Sequence, residues 1–335
     1  MKKRFIHIIC FALAVILTLP AAVGCSSSKK SDFTLPTRTL VSDEIKYFGS
    51  FGYQVYDDGC VAIVEYSGLE TQITIPETIE GGKVIELGAM VFVDNTSIQS
   101  VRLNSVEIIG DYAFYGCTAL SSVSFNKKLW SVGMAAFEKT PWLATHTEEF
   151  VVVGDGVLIK YQGTDTYVVL PDNVRHLSNA FEMNENIIGV ELGDNLLTIG
   201  TSAFTLCTAL RYVEFGQNLK LIGPGAFDAC ESLTSVAIPD SVEIIDEYAF
   251  NYCSNMSMVK IGQSVRKIGN SAFRNCIRIK VIDMPVTVTS IAPYAFGDCV
   301  ALSLVFYGGS EEQFTALELD STNYLMKDVE KIYAQ

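Results

Sequence analysis

The chain has 335 residues, a formal net charge of −14, 49% hydrophobic and 19% charged residues, 25 Gly and 9 Pro. That composition is globular and excludes a disordered or collagen-like chain. So acidic a chain is also unsuited to nucleic acid, whose phosphates need a basic face.

The first residues read as a targeting segment over 1–24. Lys2, Lys3 and Arg4 form a positive start, and an apolar run from Phe5 to Leu19 follows. The run is shorter than the roughly 20 residues a membrane-spanning helix needs, so it reads as a secretory signal. Ala22-Val23-Gly24-Cys25 comes next. It resembles a bacterial lipoprotein lipobox, although Ala22 stands where Leu is usual. The resemblance implies that Cys25 becomes the lipidated amino-terminus and holds the mature chain outside the cytoplasm, at the cell membrane or surface. An ordinary signal peptide with an incidental cysteine is the alternative. Residues 25–48 are expected to form a flexible tether, because their start is polar, Ser26-Ser27-Ser28-Lys29-Lys30-Ser31.

Internal repetition dominates the rest. Ala-Phe recurs at Phe114, Phe137, Phe181, Phe204, Phe227, Phe250, Phe273 and Phe296, with Val91-Phe92 a degenerate first copy. The steps are 22 or 23 residues, except one of 44 from Phe137 to Phe181. About ten repeats are expected. Each unit ends apolar-x-apolar, as in Val213-Glu214-Phe215 or Val259-Lys260-Ile261, and that period of two predicts a short strand. A second short strand ends in Ile-Gly at Ile109, Ile199, Ile222 and Ile268. Glycine there suits a sharp turn, although Asp246 and Ala292 hold the same slot. A unit this short cannot bury its own apolar face, so the units must stack. Stacking predicts one continuous internal column of phenylalanines.

The stretch 140–172 departs from the pattern. Thr140-Pro141-Trp142-Leu143 breaks the turn, and apolar runs flank Gly154-Asp155-Gly156 between Phe150 and Tyr161, which predicts a hairpin. It reads as an irregular structural turn, with a binding loop the alternative.

Nine cysteines invite a disulfide reading. Yet Cys117, Cys207, Cys230, Cys253, Cys276 and Cys299 each follow Ala-Phe by three residues, a slot that Asn95, Thr140 and Asn184 fill elsewhere. Such a slot asks for a small side chain that can bond the loop backbone. Free buried thiols are therefore expected, with no metal, since one column cannot surround zinc tetrahedrally. Cys60 reads as a core filler.

The pattern Ile-Gly-x-x-Ala-Phe-x-x-Cys-x-x-Leu-x-x-Val-x-Ile resembles the BspA-type leucine-rich repeat over most of the mature chain. The resemblance implies a leucine-rich repeat solenoid of short parallel strands joined by helical or 3-10 turns. By the same likeness, residues 49–84 form an amino-terminal cap, 85–306 the solenoid and 307–335 a carboxy-terminal cap. Its members are mostly bacterial surface proteins that bind other proteins or host surfaces.

Chemistry is hard to find. His146 and His176 have no cysteine at a repeatable catalytic spacing, and Asp57-Asp58, Glu148-Glu149 and Glu311-Glu312 are adjacent rather than opposed across a cleft. Gly154-x-Gly156 lacks the third glycine and helix of a dinucleotide loop. No cofactor is expected. The leading reading is a membrane-anchored scaffold that binds a protein or glycan. A structural envelope lipoprotein and an unrecognised hydrolase are the alternatives. Slots between inward Val and Ile should point outward in two columns, which in leucine-rich repeats line the concave side. Leu304 and Phe306 are expected beneath the carboxy-terminal cap. The candidate binding face is therefore Tyr212, Glu214, Met258, Lys260 and Asp283, aromatic and Met anchors beside charges.

Overall fold

The computed structural model describes residues 34–334, so Cys25 and the segment before it lie outside the described residues. Each repeat contributes two short strands, and equivalent strands of successive repeats pair in parallel. On one side Ser235, Met258, Val281 and Leu304 are register partners, and on the other Thr198, Leu221, Ile244, Lys267 and Ser290. The result is a leucine-rich repeat solenoid of about 12 turns. The surplus over ten repeats comes from the ends, where strands of less regular sequence complete further turns. The loops after Ile-Gly are hydrogen-bonded turns, and helix is confined to short pieces such as Pro141–Ala144, Glu311–Thr315 and Tyr324–Asp328.

The Ala-Phe loops form a third ladder beside the two sheets. In the Phe204 loop, the N–H groups of Ser202, Phe204 and Leu206 donate to the carbonyls of Pro224, Ala226 and Asp228 at 2.8–2.9 Å. Residues two before and two after the phenylalanine hold positive φ in turn after turn: Ser202 and Leu206, Tyr248 and Tyr252, Ser271 and Asn275, Tyr294 and Asp298. Each such residue costs of order 1 kcal/mol or more. The Ile-Gly glycines serve a different need from the one their turn suggests. Gly200 is not in the left-handed region; a Cβ there would come within 2.4 Å of the Leu177 carbonyl oxygen in the turn before.

The expected continuous phenylalanine column is instead two columns. Phe92, Phe114 and Phe137 stack at 4.9 and 5.2 Å, and Phe181 to Phe296 stack at 4.9–5.1 Å with planes within 5°. Between them Trp142 leans on Phe137 and Tyr161 on Phe181, both tilted. The cause is the irregular turn. Phe150–Val153 and Val157–Tyr161 pair antiparallel, so a hairpin stands where a regular rung would be. The buried core divides at the same place, into one cluster from Tyr53 to Val157 and another from Leu158 to Met326. The sheet ladder breaks there too. Val132 O, which a backbone N–H would meet in a regular turn, accepts from the buried Ser178 hydroxyl at 2.6 Å.

Seven cysteines among the described residues are free, and six of them explain their slot. Each ladder cysteine donates its S–H to the phenylalanine carbonyl of the preceding turn, Cys117 to Phe92, Cys207 to Phe181 and on to Cys299 to Phe273, at 3.0–3.3 Å. Asn95 and Asn184 fill the slot by accepting from their own loop backbone, and Thr140 by donating to Phe137 O. Burial pushes the Cys117 thiol up to about 11 and the Cys207 thiol up to about 12. These thiols therefore stay protonated and unreactive at neutral pH.

The ends are closed with side chains. The last loop has no following rung, so Tyr294 N donates to Thr322 Oγ1 at 2.7 Å and Phe296 N to Asn323 Oδ1 at 2.9 Å. Glu311 and Glu312 sit in the first turn of a helix closed by a Ser310–Gln313 capping box, where negative charge is favourable. At the other end the chain is tied down earlier than the tether reading allows. Arg38 bonds Asp58, Thr39 bonds Asp57, and Lys46–Phe48 pairs with Phe51–Val55. Two adjacent carboxylates thus fasten the incoming chain at Arg38 and Thr39. Phe306 also departs from expectation. The strand Glu330–Tyr333 extends the sheet edge to edge, Phe306 opposite Ile332, so the outward face continues and Phe306 stays exposed.

Phe227 lies in the middle of the longer column and is fully buried. Phe227→Ala should cost about 3–5 kcal/mol in chemical denaturation, from lost transfer energy and the cavity left between two rings. A loss below about 1 kcal/mol would show that the column does not carry the core.

Candidate binding face

The outward slots fall in the columns that alternation dictates. Gly189 pairs with Tyr212 and Glu191 with Glu214 in one sheet, while Met258 pairs with Val281 and Lys260 with Asp283 in the next. The five candidates are therefore on one side of the solenoid but in two sheets. The ladder is interrupted between Tyr212–Glu214 and Ser235–Ala237, where Phe215 takes the slot that Leu192 and Ile238 hold and turns its ring edge-on to Phe227. Tyr212 and Met258 are 55% and 43% exposed, Glu214 and Lys260 are exposed, and Asp283 is half-buried. Lys260 and Asp283 are direct neighbours of opposite charge, and Tyr212 lies two strand positions from Met258.

Sequence reasoning missed part of this face. Tyr167 and Val169 start the column two rungs before Tyr212 and are 61% and 59% exposed. The Tyr167 ring lies over Gly189, where a Cβ would meet it at 2.6 Å. Glycine at 189 thus leaves a shallow floor between two tyrosines. The signal was present as Gly189 in a column of larger residues, but Tyr167 belongs to the irregular stretch and lacked a repeat to align it.

The opposite sheet is more recessed. Its outward slots His176, Thr198 and Ile244 are buried while Lys267 is exposed, and a cavity of about 440 Å³ runs beside Thr198 and Leu221, with Ile108, Trp130 and Glu86 in its lining. Tyr56 donates to Glu86 at 2.6 Å, and burial holds that carboxyl above its ordinary range. His176 bonds Thr198 at 2.8 Å, and burial lowers its imidazole to about 3, so it is a neutral packing group. His146 bonds the Trp142 carbonyl oxygen and lies 4.6 Å from the Trp142 ring. No group of three or more His, Cys, Asp or Glu among the described residues could hold a metal ion. No helix among them is long and apolar enough to cross a membrane.

The family model described as BspA type leucine rich repeat region matches in 6 copies, over residues 66–150 and 177–303. Among solved structures, a leucine rich cell surface protein from Faecalibacterium prausnitzii is 22% identical, with 84% of this chain and 99% of that chain covered and a TM-score of 0.39. A leucine-rich repeat protein of T. pallidum is 25% identical over 70% of this chain and 91% of that one, with a TM-score of 0.31. The pneumococcal vaccine antigen PcpA is 15% identical, covers 87% and 99%, and has a TM-score of 0.43. No curated protein matches. The repeated Ile-Gly, Ala-Phe and Cys slots, each with its place in the stack, and the family match across both halves establish that the chain belongs to the BspA-type leucine-rich repeat family.

Proposed function

We propose that the protein is a membrane-anchored, extracytoplasmic scaffold that binds a protein or glycan through the side of the solenoid carrying Tyr212, Glu214, Met258, Lys260 and Asp283. One observation carries the reading. Inward slots repeat the same few residues, whereas outward slots on this side change from turn to turn and expose aromatic and Met side chains beside charges. The solenoid holds its register with inward residues alone, so the outward columns are available for recognition. Tyrosine and methionine flanked by charged groups supply apolar contact with a polar rim. The role assigned is binding, and no reaction is assigned. Anchoring rests on the lipobox-like sequence ending in Cys25, with export implied by the run before it.

Two experiments test the proposal. Cys25→Ser should move the protein from the membrane fraction to the soluble fraction; retention at wild-type levels would remove the lipid anchor from the account. A screen of the exported domain against matrix proteins and glycans should yield a ligand. Tyr212→Ala combined with Met258→Ala should then weaken its binding at least about tenfold, as loss of central anchors does, with the melting temperature little changed. Unchanged affinity would place the site elsewhere on the solenoid.

A further inference from the structure

Two neighbouring charges on the outward face do not pair with each other. Lys260 and Asp283 are register partners in adjacent strands, yet neither side chain makes an ion pair or hydrogen bond among the described residues. They are also the only outward charges on four consecutive strands, Ser235–Ala237, Met258–Lys260, Val281–Met284 and Leu304–Tyr307. In a chain of net charge −14 these strands present a neutral patch, which adds nothing to the repulsion between two acidic molecules. Met258 and Phe306 are exposed on it, and Val281 and Leu304 are half-buried.

The outward side chains of this patch complement their own order reversed. One column runs Ser235, Met258, Val281, Leu304 and the other Ala237, Lys260, Asp283, Phe306, both in continuous register. A two-fold axis parallel to the strands, midway between the Met258 and Val281 rungs, lays each column over its own reverse. Lys260 of one copy then faces Asp283 of the other, and Asp283 faces Lys260. Met258 faces Val281, Leu304 faces the small Ser235, and Phe306 faces the small Ala237. Bulk meets space, apolar meets apolar, and no charge meets its own sign. An isologous contact requires this reciprocity, and an unrelated partner does not. The match ends where the ladder ends, since Tyr212–Glu214 is not paired with Ser235–Ala237. Four strands with two outward side chains each fall well short of the roughly 20–30 residues per side of a standard interface, so the association is weak.

We propose that this patch pairs with a second copy of the chain about that axis. The sheets meet face to face, the strands of the two copies run the same way, and the solenoids point in opposite directions. The pairing deepens the proposed function by naming one protein partner for the Met258–Asp283 part of that face, and it rests on that face being the one used for recognition.

Sedimentation equilibrium of the full chain in a density-matched nonionic detergent tests this, because it weighs the protein alone whether or not an anchor is present. The wild type should show a monomer–dimer equilibrium below about 1 mM. Lys260→Asp and Asp283→Lys should each weaken the dimer at least about tenfold, because each sets like charges face to face twice. Asp283→Lys makes the chain less acidic, so its weakening cannot come from net charge. Lys260→Asp combined with Asp283→Lys should restore association to within about threefold of the wild type, with the unfolding midpoint unchanged in every variant. A monomer at every concentration would overturn the proposal. So would single reversals that leave association unchanged, or a double reversal that fails to restore it. The recognition reading fails separately, if Tyr212→Ala combined with Met258→Ala keeps its ligand affinity at dilutions where the chain is monomeric.

Discussion

Each turn of this protein is stable only because the next one meets its backbone donors and covers its apolar face. The unit is too short to fold alone, so the free energy sits between rungs rather than within them. The loop ladder shows the dependence most plainly. Its N–H groups reach forward to the next turn, its cysteine thiols reach back to the phenylalanine carbonyl of the turn before, and the residues that flank each phenylalanine hold positive φ. The ends confirm the rule by exception, since the last loop borrows Thr322 and Asn323 as its next rung.

Much of this was legible in the sequence. The Ala-Phe spacing fixed the inward column, and alternation placed Val259 inside and Met258 and Lys260 outside. A slot that accepts Cys, Asn or Thr announced a hydrogen bond to backbone, although not that Cys reaches the preceding turn while Asn stays in its own. Other features depend on distance between turns, which no single repeat encodes. Gly200 reads as a turn residue, but its cause is the Leu177 carbonyl oxygen one turn away. Asp57 and Asp58 read only as adjacent carboxylates, and the structure bonds them, still exposed, to Thr39 and Arg38. Phe306 reads as covered because a cap follows, yet that cap adds a strand at the edge and leaves the face open.

The stretch 140–172 was the least legible part and has the largest structural consequence. Its residues lack a repeat to align them, so neither Tyr167 on the outward face nor Tyr161 in the ring column could be assigned. A hairpin inserted into a parallel stack cannot present the ladder of a regular rung. Ser178 bridges one side of the gap by reaching Val132 O, and the loop side is left open at Phe137. The same event divides the core into two clusters. Outward variation and this interruption are thus two of the places where the solenoid departs from pure repetition.

If stability resides between neighbouring rungs, an interruption in the rungs should divide the unfolding. Trp142 lies in the amino-terminal core cluster, whereas the Trp130 ring lies 6.0 Å from His176 across the core division between Val157 and Leu158, so a Trp130→Phe variant keeps a tryptophan that reports the amino-terminal stack alone. Urea unfolding of Trp130→Phe, followed by tryptophan fluorescence and by far-ultraviolet circular dichroism, is the direct measurement. Two transitions are expected in circular dichroism, with fluorescence following only the one that belongs to the amino-terminal stack. A single transition, coincident in both probes, would contradict the account, because the two stacks would then be one cooperative unit despite the missing rung.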